Sequence, residues 1–566
     1  MKRVILFVLC SFCVTASKWP AHTDVQDNAS YDYVIVGAGT AGCILAYRLS
    51  EQQGVRVLAI EAGGDPPHET DLISLLVLRL NSNIYWNYET EEGDTTQYHK
   101  KKHYDISTGK VLGGSSTINN LYYCRGNPTD YEAWVNATGD QSWSWQNLLP
   151  YFKKSERLED EAIINSKTGS FHGKNGEVHV TRDLRNTTKK YLKAFHEVGH
   201  NIVEDVNGEE SLGFLEPLYF LSKGVRQSTA QSFLIPIKKR TNFHLMKNTV
   251  VNKILFDDNK NAVGLQCLKP DGNIVNIFAQ KEVIISAGAF NTPKLLMLSG
   301  IGPAEHLKSL DIPVISDLPV GENLQDHIAI IIAHTLEETT DTTKRNKSRF
   351  PLPSFAGYGA VDKSQHYPDY QSYNLIAKNN PFALQLLCKS VFHLDDNICN
   401  KLTIAGLGRE ILLSVFSSNG LQSRGKVQLH SARPEDHPKI NTGFLSNVDD
   451  LDKYVTGVQD FERVTQSSYF LNVNSETLDL PDCAHFEKGS KEYWKCYVLK
   501  MMDVHSLPCC TSPLGSVLDS RFRVNGVKKL RVVDASSMPR IILGGLNAVV
   551  MAIAEKAADL IKEDDA

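Results

Sequence analysis

The chain has 566 residues, of which 42% are hydrophobic and 22% charged, enough apolar material to bury the cores of two or more structural domains. Its formal net charge of −5 excludes the basic excess that phosphate-backbone binding leaves on a protein, so no nucleic-acid partner is expected. The basic clusters His99–His103 and Lys238–Arg240 read as a solvated face and a helix end.

In chain order, Met1-Lys2-Arg3 leads into the apolar run Val4–Val14 and the small residues Ala16 and Ser17. Two charges, a short apolar core and a small-residue exit match a secretory signal peptide over 1–17, so a secreted, extracellular protein is expected. The run is too short to cross a bilayer comfortably, and no later stretch is long and apolar enough for a membrane span. Asn28, Asn136, Asn186 and Asn346 each open an Asn-X-Ser/Thr acceptor for glycans. Removing 1–17 takes away Cys10 and Cys13 of the eleven cysteines. The close pairs Cys388/Cys399 and Cys483/Cys496 suit local disulfides, and Cys43 and Cys124, set in apolar runs, suit buried thiols. Adjacent Cys509 and Cys510 have no placement from spacing. No second Cys or His pair has ligand spacing, so no metal is expected.

The first segment with chemistry starts at Tyr31. The β-branched run YDYVIV reads as a strand, followed at once by Gly37-Ala38-Gly39-Thr40-Ala41-Gly42 and a helical run from Cys43 to Gln52. Gly37 makes the tight turn, Gly39 lets the backbone approach a pyrophosphate at the helix N-terminus, and Gly42 lets helix and strand pack closely. The next strand, VRVLAI, ends in Glu61, placed to bind a ribose hydroxyl. That pattern predicts a dinucleotide and leaves NAD and FAD both open.

Two further segments choose between them. Gly109–Asn119 (GKVLGGSSTIN) and Gly288–Gly302 (GAFNTPKLLMLSGIG) resemble the two signatures of the glucose-methanol-choline (GMC) oxidoreductase family. Tyr122–Trp134, Val320–His327 and Leu530–Pro539 add supporting matches, so the resemblance covers essentially the whole chain after the leader. It implies FAD as the cofactor and a small-molecule alcohol, sugar or sterol as substrate. It further implies that Val111, Gly114, Ser115, Asn119, Asn120, Leu121 and Tyr122 line the isoalloxazine and that Val251 borders the adenine. Asp534 and Ala535 lead to a final helix from Asn547 to Glu563, whose N-terminal dipole faces the flavin. Asn120 stands where the family usually has Gly, and Thr108 where it usually has Arg.

The fold expected is α/β, a Rossmann-like FAD domain plus a substrate domain built on an antiparallel sheet. The resemblance divides the chain into a discontinuous FAD domain (31–160, 220–330, 505–566) and a cap (161–219, 333–500), with the strand-like runs AIIIAHTL and GKVQLH in the cap's sheet. The polar run 337–349 reads as an exposed loop.

The segment expected to carry the chemistry departs from the family. Members oxidise an alcohol by hydride transfer to flavin N5 while a His handles the hydroxyl proton and a second His or Asn assists. Counted without gaps, the His position is Leu507 and the second is Gly545, neither able to accept a proton. His505 reaches the first position only by a two-residue gap; in extended chain it and Leu507 would face the same side, about 6.5 to 7 Å apart. Two readings follow: a GMC-type oxidoreductase with His505 or water as base, or a secreted flavoprotein without turnover that serves as a binding protein or scaffold. Nothing in the sequence sets an oligomeric state.

Overall fold

The structure is a computed structural model that describes residues 17–78, 82–93, 95–98, 101–208, 210–337 and 349–565. Nearly all of the signal-like leader, the acceptor Asn346, most of the polar run 337–349, and His99 and Lys100 of the basic cluster lie outside the described residues.

The run predicted from Tyr31 forms the strand Ala29–Val36, whose second half is buried on both faces, as the centre of a helix-covered parallel sheet requires. It lies parallel to Val57–Ile60 on one side and to Ile274–Ile285 on the other. Phe243–Met246 extends the sheet beyond Val57–Ile60, and Leu530–Val532 runs parallel to the end of Ile274–Ile285. The first half of that long strand opens an antiparallel meander with Ala262–Leu268 and Val250–Phe256. Segments hundreds of residues apart thus meet in one sheet.

The helix Thr40–Leu49 after the glycine-rich turn packs against the closing helix Asn547–Asp564. Arg48 fixes their register, donating through Nε and Nη2 to Glu555 at 2.8 and 2.9 Å. Such a bidentate buried pair gives strong positional specificity.

The second sheet is antiparallel. Ile328–Leu336, which carries AIIIAHTL and is buried along its whole length, pairs with Glu410–Ser418. Tyr370–Lys378, Ser354–Gly359 and Gly213–Leu215 follow outward on that side. Glu476–Thr477 and Met502–Val504 pair with the other edge of Ile328–Leu336. GKVQLH does not join this sheet: its strand, Lys426–Gln428, pairs with Lys439–Asn441 in a separate ribbon. Backbone bonds between Gly425 and Leu324 at 2.9 and 3.0 Å tie that ribbon to the segment leading into Ile328–Leu336, in the antiparallel sheet that roofs the main cavity, and a side chain at Gly425 would meet Asn441 O at 2.2 Å.

Cys388–Cys399 and Cys483–Cys496 form the two expected disulfides, and Cys509 and Cys510 are joined to each other in the buried interior. Cys43, Cys124 and Cys267 are buried free thiols. Cys388–Cys399 ties the helices Pro381–Ser390 and Asp396–Ala405 into a hairpin. Replacing both cysteines by alanine is expected to lower unfolding free energy by about 3 kcal/mol, the entropy released to a loop of this length. Denaturant melts of the double variant, with wild type under reducing conditions beside it, check this; an unchanged midpoint rejects it.

Candidate active site

A cavity of about 640 Å³ is walled by both sheets. Its floor begins at the glycine-rich turn, where the three glycines have different reasons to be glycine. Gly37 has φ +95°, and a Cβ there would lie 2.4 Å from Ser286 O. A Cβ on Gly42 would lie 1.9 Å from Gly37 O. Gly39 has an ordinary φ of −82°, and its Cβ would come no nearer to protein than 3.8 Å, at Gly114 Cα. Gly37 and Gly42 are therefore demanded by the fold, whereas Gly39 leaves room for a ligand.

Glu61 follows the strand Val57–Ile60 and bends back to accept from the amides of Ala38 and Gly63 at 2.8 and 2.9 Å. Burial pushes its carboxyl up to about 7 against the pull of those amides. Across the floor, Gly113 and Gly114 have φ of +85° and +52°, and a Cβ on Gly114 would lie 2.8 Å from Gly39 Cα. The two glycine-rich turns thus touch backbone to backbone.

Gly37, Gly39, Thr40, Ala41, Glu61, Gly114, Ser115, Asn119, Asn120, Leu121, Tyr122, Val251, Asp534, Ala535 and Asn547 all reach the wall. Gly42 and Val111 do not: Gly42 packs helix on strand, and buried Val111 bridges Gly64. Leu121 is held at φ +61° by Asn119 Oδ1, which accepts from its amide at 3.1 Å. Arg226 Nη1 donates to the carbonyl and Oδ1 of Asn119, both at 2.8 Å. Asp534 accepts from Gly288 N at 2.8 Å and Thr292 Oγ1 at 2.6 Å, joining the second signature to the C-terminal segment.

These residues fit a dinucleotide on two observations. Thr40 Oγ1 donates to Asn547 Oδ1 at 3.2 Å, but Asn547 Nδ2 is buried without a partner among the described residues, and buried amide donors are seldom left so. Open space at Gly39, before a helix N-terminus, is the geometry that receives a pyrophosphate.

The rim beneath the roof holds the segment from His505 to Pro508. His505, Leu507 and Gly545 all line the cavity, but the chain between the first two is not extended. Ser506 has φ +59°, because His505 N donates to His327 O at 3.0 Å while Leu507 N donates to buried Asp326 Oδ1 at 2.9 Å. Burial raises the Asp326 carboxyl to about 8. His505 Nδ1 lies 3.3 Å from Ser417 Oγ. Burial, helped by neighbouring His327, pushes the His505 imidazole down to about 3. A Cβ at Gly545 would meet only Tyr122 O, at 3.4 Å, so neither packing nor backbone demands glycine there.

Sequence reasoning missed Gln371, Tyr373, Val415 and Ser417, which reach the wall from the roof, and buried Arg226 behind Asn119. Alternation in YQSYNLIAK hints at a strand, but both faces mix polar and apolar residues and are wholly or half buried, so the pattern does not tell which side meets the cavity.

A nucleotide-binding floor of this form, opening beneath an antiparallel roof with an imidazole at the rim, defines a flavin-dependent oxidoreductase. The chain belongs to the GMC oxidoreductase family, whose N-terminal model matches residues 31–329 and whose C-terminal model matches 422–554; its cofactor is FAD. It is similar to an ecdysone oxidase of Bombyx mori, 35% identical over 99% of this chain and 86% of the relative. A Drosophila melanogaster glucose dehydrogenase [FAD, quinone] is 32% identical over 95% and 87%. Among solved structures, a formate oxidase of Aspergillus oryzae superposes with a TM-score of 0.80 at 25% identity, covering 95% of this chain and 99% of its own.

Proposed function

We propose that this chain is a secreted GMC-type enzyme that oxidises the CH–OH group of a bulky apolar alcohol, a sterol rather than a sugar, and turns over slowly. Bound on the floor, FAD supplies a hydride acceptor at flavin N5. The Gly37–Gly42 turn would hold the diphosphate and Glu61 the adenosine ribose, with Val251 beside the adenine. Ser115 and Asn119–Tyr122 would border the ring system, with Asp534, Ala535 and Asn547 at its far edge.

The observation that carries the reading is the His505–Ser417 pair, set in a roof wall that is otherwise largely apolar. In the tautomer where Nδ1–H donates to Ser417 Oγ, His505 Nε2 is free to take the substrate's hydroxyl proton. Ala329, Val391, Phe392, Val415 and Val504 line that wall and offer no side-chain hydrogen bond. A sugar placed against them would leave hydroxyls unpaired at about 1–3 kcal/mol each, whereas the hydrocarbon ring system of a sterol has no such groups to leave unpaired. The relative named as an ecdysone oxidase agrees with that choice. Secretion rests on the leader, the two disulfides and the exposure of Asn28, Asn136 and Asn186.

Leu507 and Gly545 favour a second reading, a flavoprotein without turnover. Anaerobic mixing with a panel of sterols, sugars and benzyl alcohol, watching the flavin absorbance bleach, separates the two. Bleaching by sterols supports the proposal; no bleaching by any alcohol rejects it.

The pH profile provides a further check. A His505 titrating near 3 stays neutral and able to accept a proton at every pH above that, so the acid limb of an ordinary imidazole is expected to be absent. The bleaching rate should be flat from pH 5 to 8. A limb centred near pH 6.5, the ordinary imidazole value, would show that the imidazole taking the proton is not held down in this way.

A further inference from the structure

We propose that Gln371 supplies the hydrogen-bonding side chain that position 545 lacks, accepting from the substrate hydroxyl and orienting it toward His505. The inference rests on the alcohol-oxidation reading above. Gln371 lies in the strand Tyr370–Lys378, directly opposite Ser417 in Glu410–Ser418. Opposed residues of an antiparallel pair project to the same face, and both line the cavity. With His505 beside Ser417, the roof carries a polar row, Gln371–Ser417–His505, above the segment that holds Leu507 and Gly545.

The amide of Gln371 is oriented by its surroundings. Its Nε2 donates to Tyr358 Oη at 3.2 Å, Tyr358 donates to Cys124 Sγ at 3.2 Å, and Tyr122 Oη stands 2.6 Å from Tyr358 Oη. With its hydrogen on the sulfur, Tyr358 can only accept from Gln371 and Tyr122, which directs the amide nitrogen to it and the oxygen elsewhere. Oε1 lies 3.3 Å from the point a Cβ on Gly544 would occupy, next to the open space at Gly545. It accepts no hydrogen bond among the described residues, although Gln371 is only 5% exposed. Gln371 lines the cavity, and an acceptor there without a protein donor is open to one from a ligand, which a substrate hydroxyl provides.

The test uses the full FAD-loaded protein as wild type, Gln371→Leu, Gly545→Asn and the double variant, with benzyl alcohol as probe. The dissociation constant is read from perturbation of the flavin band, and the rate from anaerobic bleaching. Gln371→Leu should weaken binding and slow bleaching by about 10-fold each, about 1.4 kcal/mol for one hydrogen bond. Gly545→Asn should restore most of both losses in that background, a gain about 10-fold larger than any effect it has in the wild type. Unchanged binding and rate in Gln371→Leu, or an equal effect of Gly545→Asn in both backgrounds, would overturn the proposal. Binding without bleaching in the wild type would refute alcohol oxidation alone, and the binding comparison would still decide Gln371. If Gln371→Leu loses FAD or melts early, Gln371→Asn, which withdraws the amide by one methylene, should show the weaker binding; wild-type affinity there overturns the proposal.

Discussion

Replacing Gly39 by valine is expected to yield folded but colourless protein. The backbone at Gly39 suits any residue, since φ is −82°, and the nearest protein atom to a new Cβ is 3.8 Å away. The added methyl groups instead occupy the space that receives the pyrophosphate at the start of Thr40–Leu49. Loss of FAD removes ligand-linked stabilisation, so the melting temperature should fall to that of wild-type apoprotein and no further. Gly42→Val is the informative contrast: its Cβ would overlap Gly37 O at 1.9 Å, so expression itself should fail. Flavin absorbance per polypeptide and thermal melts check both, and full flavin retention in Gly39→Val would sink the assignment of the floor.

The second large effect is expected at the rim. A positioned general base contributes about 10² to 10⁴ in rate, and Leu507 contributes none. In Leu507→His with Gly545→Asn, flavin bleaching by an accepted alcohol should therefore rise by about 10² or more, mostly through the new imidazole. The backbone tolerates the change: Asp326 holds the Leu507 amide whatever the side chain, and a Cβ at Gly545 touches only Tyr122 O. His505→Ala is the companion measurement. About a 10²-fold loss from the wild-type rate is expected if His505 takes the proton; an unchanged rate would leave water as the base and remove His505 from the mechanism.

The strand, turn and helix of the floor were legible because their residues are consecutive. A strand, a glycine-rich turn, a helix and an acidic residue meet through local geometry alone, so Gly37, Gly39 and Glu61 could be given roles before any tertiary contact was known. Val111 shows the limit of motif reading. It sits inside the first signature, yet it is buried away from the cavity wall, where its backbone bridges Gly64.

The rim was legible only as a deficit. Substitution at 507 and 545 can be counted along the chain, but what stands near them cannot. The extended-chain estimate for His505 and Leu507 failed at Ser506, whose left-handed backbone follows from two hydrogen bonds to residues nearly 180 positions away. Gln371 and Ser417 come from strands whose faces are wholly or half buried on both sides, where alternation carries no sign of which face meets the cavity. The sequence by itself determined the family, the FAD cofactor and the two loop disulfides, since each is written in local pattern and spacing. Only the tertiary structure decided that His505, Ser417 and Gln371 stand over the gap, because long-range strand register set their positions.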